Sequence, residues 1–316
     1  MNSQKTKNIV KIAVLAVIVL ILLGILTAGV VGKQLKDLAV SGISAISDRL
    51  NDDDSDAALP GVTETTAPTE PEPAYSSATN GTGAFNLRAE QVRSIDITWV
   101  SGKVNVENTA SDAIEVSEAN AETQLQWTLD QYGNLNIRCC DSEHHIRAHD
   151  KDLTVRLPQD KQLEDFEIQS ASSDIEIQTL LADEFKAEGA SGSLRAAALG
   201  ANSASVKTVS GDIHIAGSIA EEVDLESVSG SMEIEAAVLP QDLDAKSVSG
   251  NWRLTLPKGS DFFAEIKTVS GAVSADDFGL SSAQPSRGTY TFGSEENDTE
   301  FHFETVSGSV RIVPAD

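Results

Sequence analysis

The sequence predicts an all-β protein in which short strands stack as a β-solenoid with about 19–21 residues per rung, preceded by one transmembrane helix and a disordered stalk. Three observations predict this architecture. A nine-residue phrase recurs, strand-like alternation of apolar and polar residues surrounds each copy, and the N-terminal quarter contains a long apolar run followed by a Pro- and Glu-rich segment. Repetition at a fixed period is typical of one structural unit stacked on itself.

Residues 1–32 are predicted to form a cytoplasmic N-terminus and a transmembrane signal anchor. Residues 12–32 carry no charged side chain, and a helix of that length spans about 31 Å, the thickness of a bilayer core. The run is longer than the apolar region of a cleavable signal peptide. Three lysines precede it and two follow closely, so the positive-inside rule leans toward a cytoplasmic N-terminus. We therefore expect a single-pass protein of the cell membrane whose C-terminal domain is extracytoplasmic.

A juxtamembrane helix and a disordered linker are predicted for residues 33–83. The part up to Leu50 places Leu and Ile near helical spacing, and the remainder is rich in Pro, Thr, Glu, Asp and Ser. Such a composition buries too little apolar surface to offset the entropy of ordering. Asp52, Asp54 and Asp56 imitate the start of a calcium loop, but the Gly and Glu required at later positions are missing. A solvated acidic linker is the prediction.

Gly24, Ala28 and Gly32 lie four residues apart in the apolar run. Small residues at this spacing let membrane helices approach closely. A homo-oligomer is therefore one expected state, although Gly and Ala are also common in membrane spans that do not pair.

Residues 84–316 are predicted to form the β-strand repeat domain. The repeated phrase occurs as KTVSGDIHI, ESVSGSMEI, KSVSGNWRL, KTVSGAVSA and ETVSGSVRI, starting at residues 207, 226, 246, 267 and 304. The glycines at 192, 211, 230, 250 and 271 are spaced by 19, 19, 20 and 21 residues, a spacing suited to one rung of a solenoid. An antiparallel sandwich of similar hairpins is the alternative, and it predicts a less strict phase.

Each copy fits the template Φ-x-Φ-x-x-Φ-x-G-x-Φ-x-Φ, where Φ is apolar, and weaker copies begin at Ile95, Phe166 and Phe185. Alternation on both sides predicts half-buried strands. The three-residue step before the Val predicts a bend or bulge that keeps Val inward. We expect the Gly at an inward site where a side chain would crowd the next rung, and the preceding Ser outward, bonding a neighbouring rung.

Two segments break the period. One, within residues 107–162, contains DQYGN between alternating strands, and the other is RGTYTFGSEENDTEFHF, which begins at Arg287. Both are predicted to be hairpins. We expect them to cap the two ends of the stack, whose open edges would otherwise favour aggregation.

The formal net charge is -26, with 23 Lys and Arg against 49 Asp and Glu. An acidic chain without a basic patch repels phosphate backbones, so nucleic acid is excluded as a partner. Cys139 and Cys140 are adjacent, which is neither a disulfide framework nor a metal knuckle. Alternation in a strand predicts one buried and one exposed thiol, and a vicinal disulfide is the alternative.

No catalytic, cofactor-binding or metal-binding residue is predicted. Soft-metal donors cluster in one region only, at Cys139, Cys140, His144, His145 and His149. Their spacing matches no established zinc site, and they precede a charged loop end at Asp150 and Lys151 that nothing in the sequence holds rigid. The VSG serines lie in no G-x-S-x-G elbow. A hydrolase on a β-helix scaffold is disfavoured because no rung face clusters Asp and Arg.

The repeated TVSG phrase, the two strand-LP phrases DLTVRLPQD and NWRLTLPKGS, and the ending RGTYTFG…FETVSGSVRI resemble the bacterial "putative adhesin" repeat family, also called the toast-rack family. The resemblance extends from about Arg93 to Val313. It implies a stacked β domain without known catalytic residues, often joined to a membrane span, in proteins described as adhesin-like or linked to envelope-stress sensing.

We therefore expect a non-enzymatic, membrane-anchored envelope protein that binds protein or glycan partners. The alternative is an envelope-stress sensor or regulator acting through membrane proteins.

Overall fold

A computed structural model of the chain describes residues 79–119, 124–139, 151–275, 278 and 288–315. Within these ranges no helix has the length and apolar character needed to cross a membrane. The predicted span, the juxtamembrane helix and the linker up to residue 78 lie outside the described residues. The end of the predicted linker is described, and there Thr79–Thr82 form a strand that pairs with Gln126–Leu129. The described chain is built almost entirely of strands, interrupted by one 3-10 turn at Ala89–Gln91.

The strands are β1 (Thr79–Thr82), β2 (Phe85–Arg88), β3 (Ser94–Thr109), β4 (Ala113–Glu118), β5 (Gln126–Leu129), β6 (Asn134–Arg138), β7 (Leu153–Pro158), β8 (Gln162–Ile177), β9 (Leu180–Gly189), β10 (Leu194–Ser210), β11 (Ile213–Ser229), β12 (Met232–Ala236), β13 (Asp242–Ser249), β14 (Trp252–Leu256), β15 (Phe263–Ser270), β16 (Val273–Ser274), β17 (Thr289–Phe292), β18 (Glu300–Ser307) and β19 (Val310–Pro314).

The strands stack in parallel, one rung upon the next, so the predicted solenoid-like stack is confirmed and the antiparallel sandwich is wrong. In the middle of the stack β9 pairs with β10 and β10 with β11, and Val206 lies beside Leu225. In each of these rungs the chain runs along a first strand, turns a corner at Ser-Gly, and continues along a second strand. Alternate side chains of both strands point into one apolar core.

The C-terminal rungs do not follow chain order. The rung of β18 and β19 lies between the rung of β13 and β14 and that of β15 and β16. Gly308 accordingly stacks between Gly250 and Gly271. The expectation that Gly271 directly follows Gly250 in the stack is wrong, although their spacing of 21 residues suggested it.

Antiparallel strands terminate both ends. At one end the predicted DQYGN hairpin is confirmed: β5 pairs with β6, and the carboxylate of Asp130 accepts the backbone N–H groups of Tyr132 and Asn134. At the other end β17 pairs with β15 and not with β18. The second predicted hairpin is therefore wrong, because β18 enters the stack on the inner edge of β15 while β17 covers the outer edge.

The corner is built differently from the template. Inward alternation continues through Thr208 and Ser227, which are 5% and 4% exposed, whereas Val209 and Val228 are half-exposed. The predicted inward Val and the bulge before it are wrong. A hydroxyl replaces the apolar side chain because it can donate to the chain two residues on, as from Thr208 Oγ1 to the Ser210 carbonyl at 3.2 Å. The alternation between inward and outward side chains shifts by one residue only after the Val, at the Ser-Gly corner.

The repeat glycine and serine behave largely as predicted. A Cβ at Gly230, whose φ is 122°, would overlap the Gly211 carbonyl oxygen of the neighbouring rung. The site is half-exposed, so the crowding comes from backbone along the stack and not from the core. Ser229 points outward, and its hydroxyl donates to the Val209 carbonyl at 3.4 Å. The predicted rung-to-rung contacts of both residues are confirmed, but the inward position expected for the Gly is wrong, because its site is half-exposed.

Candidate binding groove

Four adjacent strands, β6, β3, β8 and β9, carry a groove on their outer side. Its volume is about 360 Å³. The strand register aligns outward side chains in two rows that form the floor of this groove, defined here as the polar groove. The first row is Asn134, Ser94, Asp165 and Glu184, and the second is Asn136, Asp96, Glu167 and Lys186.

Alternation explains why these side chains face outward. Ile95 and Phe166, which lie between groove residues along their strands, are 1% and 0% exposed and belong to the core. Each groove residue is therefore one position from a buried side chain, and the pleat directs it to the opposite side. Four carboxylates and two amides line the groove against a single ammonium, so it attracts cationic and hydrogen-bond-donating groups.

Contacts within the groove fix the first row. Ser94 Oγ donates to Asp165 Oδ2 at 3.2 Å. Partial burial raises the pKa of Asp165; its Ser94 hydrogen bond opposes this, and its hydrogen bond to Glu184 adds to it. Lys186 Nζ lies 2.7 Å from Glu184 Oε1. That hydrogen bond lowers the pKa of Glu184 and raises the pKa of Lys186. A connected set of hydrogen bonds therefore runs from Ser94 through Asp165 and Glu184 to Lys186.

The hairpin turn beside the groove is fixed by Asp130. Its carboxylate also accepts the side-chain amide of Asn134 at 2.8 Å. Burial disfavours the charged carboxylate, but the donors of Asn134, Tyr132 and Gly133 prevail and lower the pKa of Asp130. The turn therefore holds Asn134, which lies at one edge of the groove.

A buried ion pair lies at the same end of the stack. Lys151 Nζ is 2.6 Å from Glu118 Oε2, and both side chains are 2% exposed. The ammonium also donates to the Cys139 carbonyl at 3.0 Å, while Trp99 Nε1 donates to the Lys151 carbonyl at 2.7 Å. The expectation that Lys151 belongs to an unsupported charged loop is wrong, because its ammonium is the partner that a buried Glu118 requires.

The soft-metal donors named from sequence are only partly described. Cys139 is buried, at 1% exposed. Cys140, His144, His145 and His149 lie outside the described residues, so the absence of a metal site there stays a prediction.

Among the described residues a different trio could hold a cation. Donor atoms of His214, Glu233 and Glu235 lie within 4.8 Å of one another on the face of the second strands. However, Arg253 Nε already lies 3.4 Å from Glu233 Oε1, and this guanidinium competes with a metal ion for the same carboxylate.

The groove was not predicted. Its signal was present in the acidic outward positions of SIDIT and EDFEI, which contain Asp96, Asp165 and Glu167. The missing information was the pairing of β3 with both β6 and β8, which joins residues about 40 and 71 positions apart.

A family comparison assigns this architecture. The Toastrack DUF4097 family model matches residues 92–276 and again 146–313, which together extend over the whole rung stack. The chain belongs to the Toastrack DUF4097 family. This confirms the resemblance seen in the TVSG and LP phrases. Among curated proteins, no sequence matches this chain.

Two solved structures are similar to this toast-rack chain. One is described as a "putative cell adhesion protein" from Clostridium sporogenes; at 14% identity and a TM-score of 0.33, the match covers 75% of this chain and 100% of that one. The other is described as a "putative adhesin" from Bacteroides fragilis; at 12% identity and a TM-score of 0.41, the match covers 74% of this chain and 97% of that one.

Proposed function

We propose that this toast-rack protein is a non-enzymatic, membrane-anchored protein of the cell envelope that binds a protein or glycan partner through the polar groove. The groove itself carries the proposal. It is a concave site of about 360 Å³, and its side chains offer carboxylate and amide oxygens to hydroxyl and ammonium donors.

The chemistry of the groove supports binding over catalysis. Two carboxyl groups with shifted pKa values, those of Asp165 and Glu184, belong to adjacent strands of one sheet and face the same direction. A glycosidase needs its two carboxyl groups on opposite sides of a scissile bond. Side chains side by side along the floor of the groove instead form a row of acceptors, which suits recognition of a polar or cationic partner.

Membrane anchoring rests on the sequence. The uncharged run at residues 12–32 has the length of a bilayer span, and the acidic, Pro-rich linker that follows would hold the domain outside the membrane. Protease added to intact cells should remove the domain by cutting between residue 51 and the start of β1 at Thr79. Survival of the domain while a surface control is digested would contradict the proposed orientation.

Groove binding is tested with a matched pair of double variants of the full-length chain in mild detergent. The probes are immobilised envelope polysaccharide fragments and a Lys-rich peptide. Asp165→Asn with Glu167→Gln removes two groove carboxylates. We expect about tenfold or greater weakening of whichever probe the wild type binds, because a lost charged hydrogen bond is worth about 1.5–3 kcal/mol.

The control is Glu222→Gln with Asp224→Asn. These residues occupy the same two columns of the same face three rungs further along, outside the groove, and their loss changes the net charge equally. We expect them to bind as the wild type does. Equal weakening by both double variants would mean that overall charge, and not the groove, is responsible, and no weakening by the first would remove the groove as the site.

The raised pKa of Asp165 predicts how binding changes with pH. The Asp165 carboxyl takes up its proton above the usual value of 3.8, because burial disfavours its charge. Binding of the Lys-rich peptide should therefore fall more steeply with decreasing pH in the wild type than in Asp165→Asn, which lacks this titrating group. Identical pH profiles would show that Asp165 does not contact the bound cation.

A further inference from the structure

One outer column of the stack alternates in charge from rung to rung. In spatial order it reads Glu188, Lys207, Glu226, Lys246, Glu304 and Lys267. Contacts join neighbouring members, with Lys207 Nζ 3.4 Å from Glu226 Oε1 and Lys267 Nζ 3.7 Å from Glu304 Oε1. The alternation is complete across six rungs, so every internal member has an opposite charge on both sides.

An apolar column runs beside this charged column, two residues further along each strand and on the same outer side. It reads Ala190, Val209, Val228, Val248, Val306 and Val269. None of these residues packs against the hydrophobic core, and Val269 is 49% exposed. Outward β-branched side chains in five consecutive rungs therefore have no role in the core, although Val was expected there.

The two columns together are defined here as the corner stripe. When the order of the rungs is reversed, the charge at every charged position of the stripe becomes its opposite. If a second copy lies against the stripe with its stack reversed, the two-fold axis falls between Glu226 and Lys246. Glu226 then faces Lys246 of the second copy. By the same operation Lys207 faces Glu304 and Glu188 faces Lys267.

The apolar column obeys the same operation. Val209 faces Val306 and Val228 faces Val248, so apolar meets apolar wherever charge meets opposite charge. A two-fold contact with the stacks parallel would instead place Glu on Glu and Lys on Lys, which is repulsive. We propose that the corner stripe is the contact surface of an antiparallel homodimer of this chain.

The size of the stripe sets the strength of the contact. Six rungs at about 4.8 Å give a stripe about 24 Å long. At about 10 Å wide it buries about 500 Å² over both copies, below the 1,200 Å² of a stable interface. The neighbouring outward column, two residues earlier along each strand, limits the width of the contact. A reversed second copy would place Asp224 opposite Asp244 there, which is repulsive. The association is therefore weak, and covalent trapping suits it better than a hydrodynamic measurement.

The test uses two single variants of the full-length chain, Val209→Cys and Val306→Cys, purified separately in mild detergent and then oxidised alone or as a mixture. In the antiparallel dimer the two positions face each other within disulfide range, while two copies of position 209 lie three rungs, or about 14 Å, apart. We expect a cross-linked dimer in the mixture, at about tenfold or more the yield of either variant alone.

Matched controls separate a specific contact from collision. A mixture of His214→Cys and Arg311→Cys samples second strands of the same two rungs, away from the stripe, and should cross-link no more than the wild type with its native Cys139 and Cys140. Ala190→Cys mixed with Val269→Cys repeats the test at the next pair outward, should either first variant fail to fold.

Two outcomes would overturn the dimer. Val209→Cys cross-linking to itself, with no link between positions 209 and 306 in the mixture, would show a parallel contact. Mixtures of both stripe pairs that cross-link no more than the His214→Cys control would show that the stripe is only an intramolecular ladder.

Discussion

The middle of the stack and its C-terminal end are built from the same phrase but assembled differently. From β9 to β12 each rung lies on the one that precedes it in the chain. From β13 onward the last rung, β18 and β19, inserts before the penultimate one, β15 and β16. The main difference is one of order, since Ser and Gly occupy equivalent corners in both regions.

The charged column is consistent with the exchanged order of the C-terminal end. In chain order Lys246 would lie beside Lys267, and Glu304 would occupy the terminal rung. Inserting Glu304 between the two lysines restores an opposite neighbour at every step, worth about 0.2–1 kcal/mol per cross-strand pair. Electrostatics therefore agrees with the observed order and opposes the consecutive one.

The column of residues that follow the repeat glycines also agrees with the exchanged order. The residue after the repeat glycine alternates between an Asp or Asn and a Ser, and each acidic or amide side chain accepts the backbone N–H of the next Ser. Asp212 accepts Ser231 N at 2.8 Å in the middle, and Asn251 accepts Ser309 N at 3.1 Å at the end. In chain order Asn251 would face Ala272, and the alternation would stop.

The largest expected effect compares the glycines of the two regions. Gly230→Val and Gly308→Val each place a Cβ against a carbonyl oxygen of the neighbouring rung, at a positive φ. We expect each to lower the free energy of unfolding by at least about 3 kcal/mol. Ser229→Ala should cost less than about 1 kcal/mol. Urea melts measure all three, and a mild Gly308→Val would show the end to be packed more loosely than the middle.

A disulfide tests the exchanged order directly. Ser249 pairs with Ser307 in the observed register, whereas Ser270 lies one rung beyond Ser307. We expect Ser249→Cys with Ser307→Cys to form a bond that raises the free energy of unfolding by about 2–4 kcal/mol when oxidised. Ser249→Cys with Ser270→Cys, two rungs apart, should not close. Peptide mapping after oxidation decides, and the reverse result would restore chain order.

Buried hydroxyls make different hydrogen bonds in the two regions. Ser247 Oγ accepts Trp252 Nε1 at 2.9 Å and donates to Thr305 Oγ1 at 3.0 Å, joining the inserted rung to its neighbour. Ser227 Oγ instead donates to the Ser229 carbonyl of its own rung at 3.0 Å. We expect Ser247→Ala to cost about 1–3 kcal/mol because it leaves the indole N–H unpaired, and Ser227→Ala about 1 kcal/mol. Equal costs in a denaturant melt would contradict this difference.

The smallest expected effect is the coupling of charged pairs. Lys207 and Glu226, at 35% and 17% exposed, should couple by about 0.5–1 kcal/mol in a double-mutant cycle, and the more exposed Lys267 and Glu304 by a few tenths, about 0.2–0.5 kcal/mol. A cycle on Lys246 and Lys267 should show none, because Glu304 separates them. Repulsion between the two lysines would indicate that they are neighbours.

Prediction of the site failed for a reason that the fold explains. Asp165 and Glu184 are 19 residues apart and could have been aligned from the repeat. Asn134 joins them only because β6 pairs with β3, and β3 in turn pairs with β8. Lys151 looked like part of a charged loop because its partner, Glu118, is distant in sequence and buried.

The sequence alone determined the period, the strand alternation, the rung-to-rung roles of Gly230 and Ser229, and the toast-rack resemblance. The first three depend on steric and hydrogen-bonding rules that act within one rung and its copy, whereas the resemblance rests on the TVSG and LP phrases. The tertiary structure decided which rung neighbours which, the outward position of Val209, and the assembly of the polar groove. These depend on contacts between segments distant in the chain, and a repeated phrase fits several partners equally until charge and edge pairing select one.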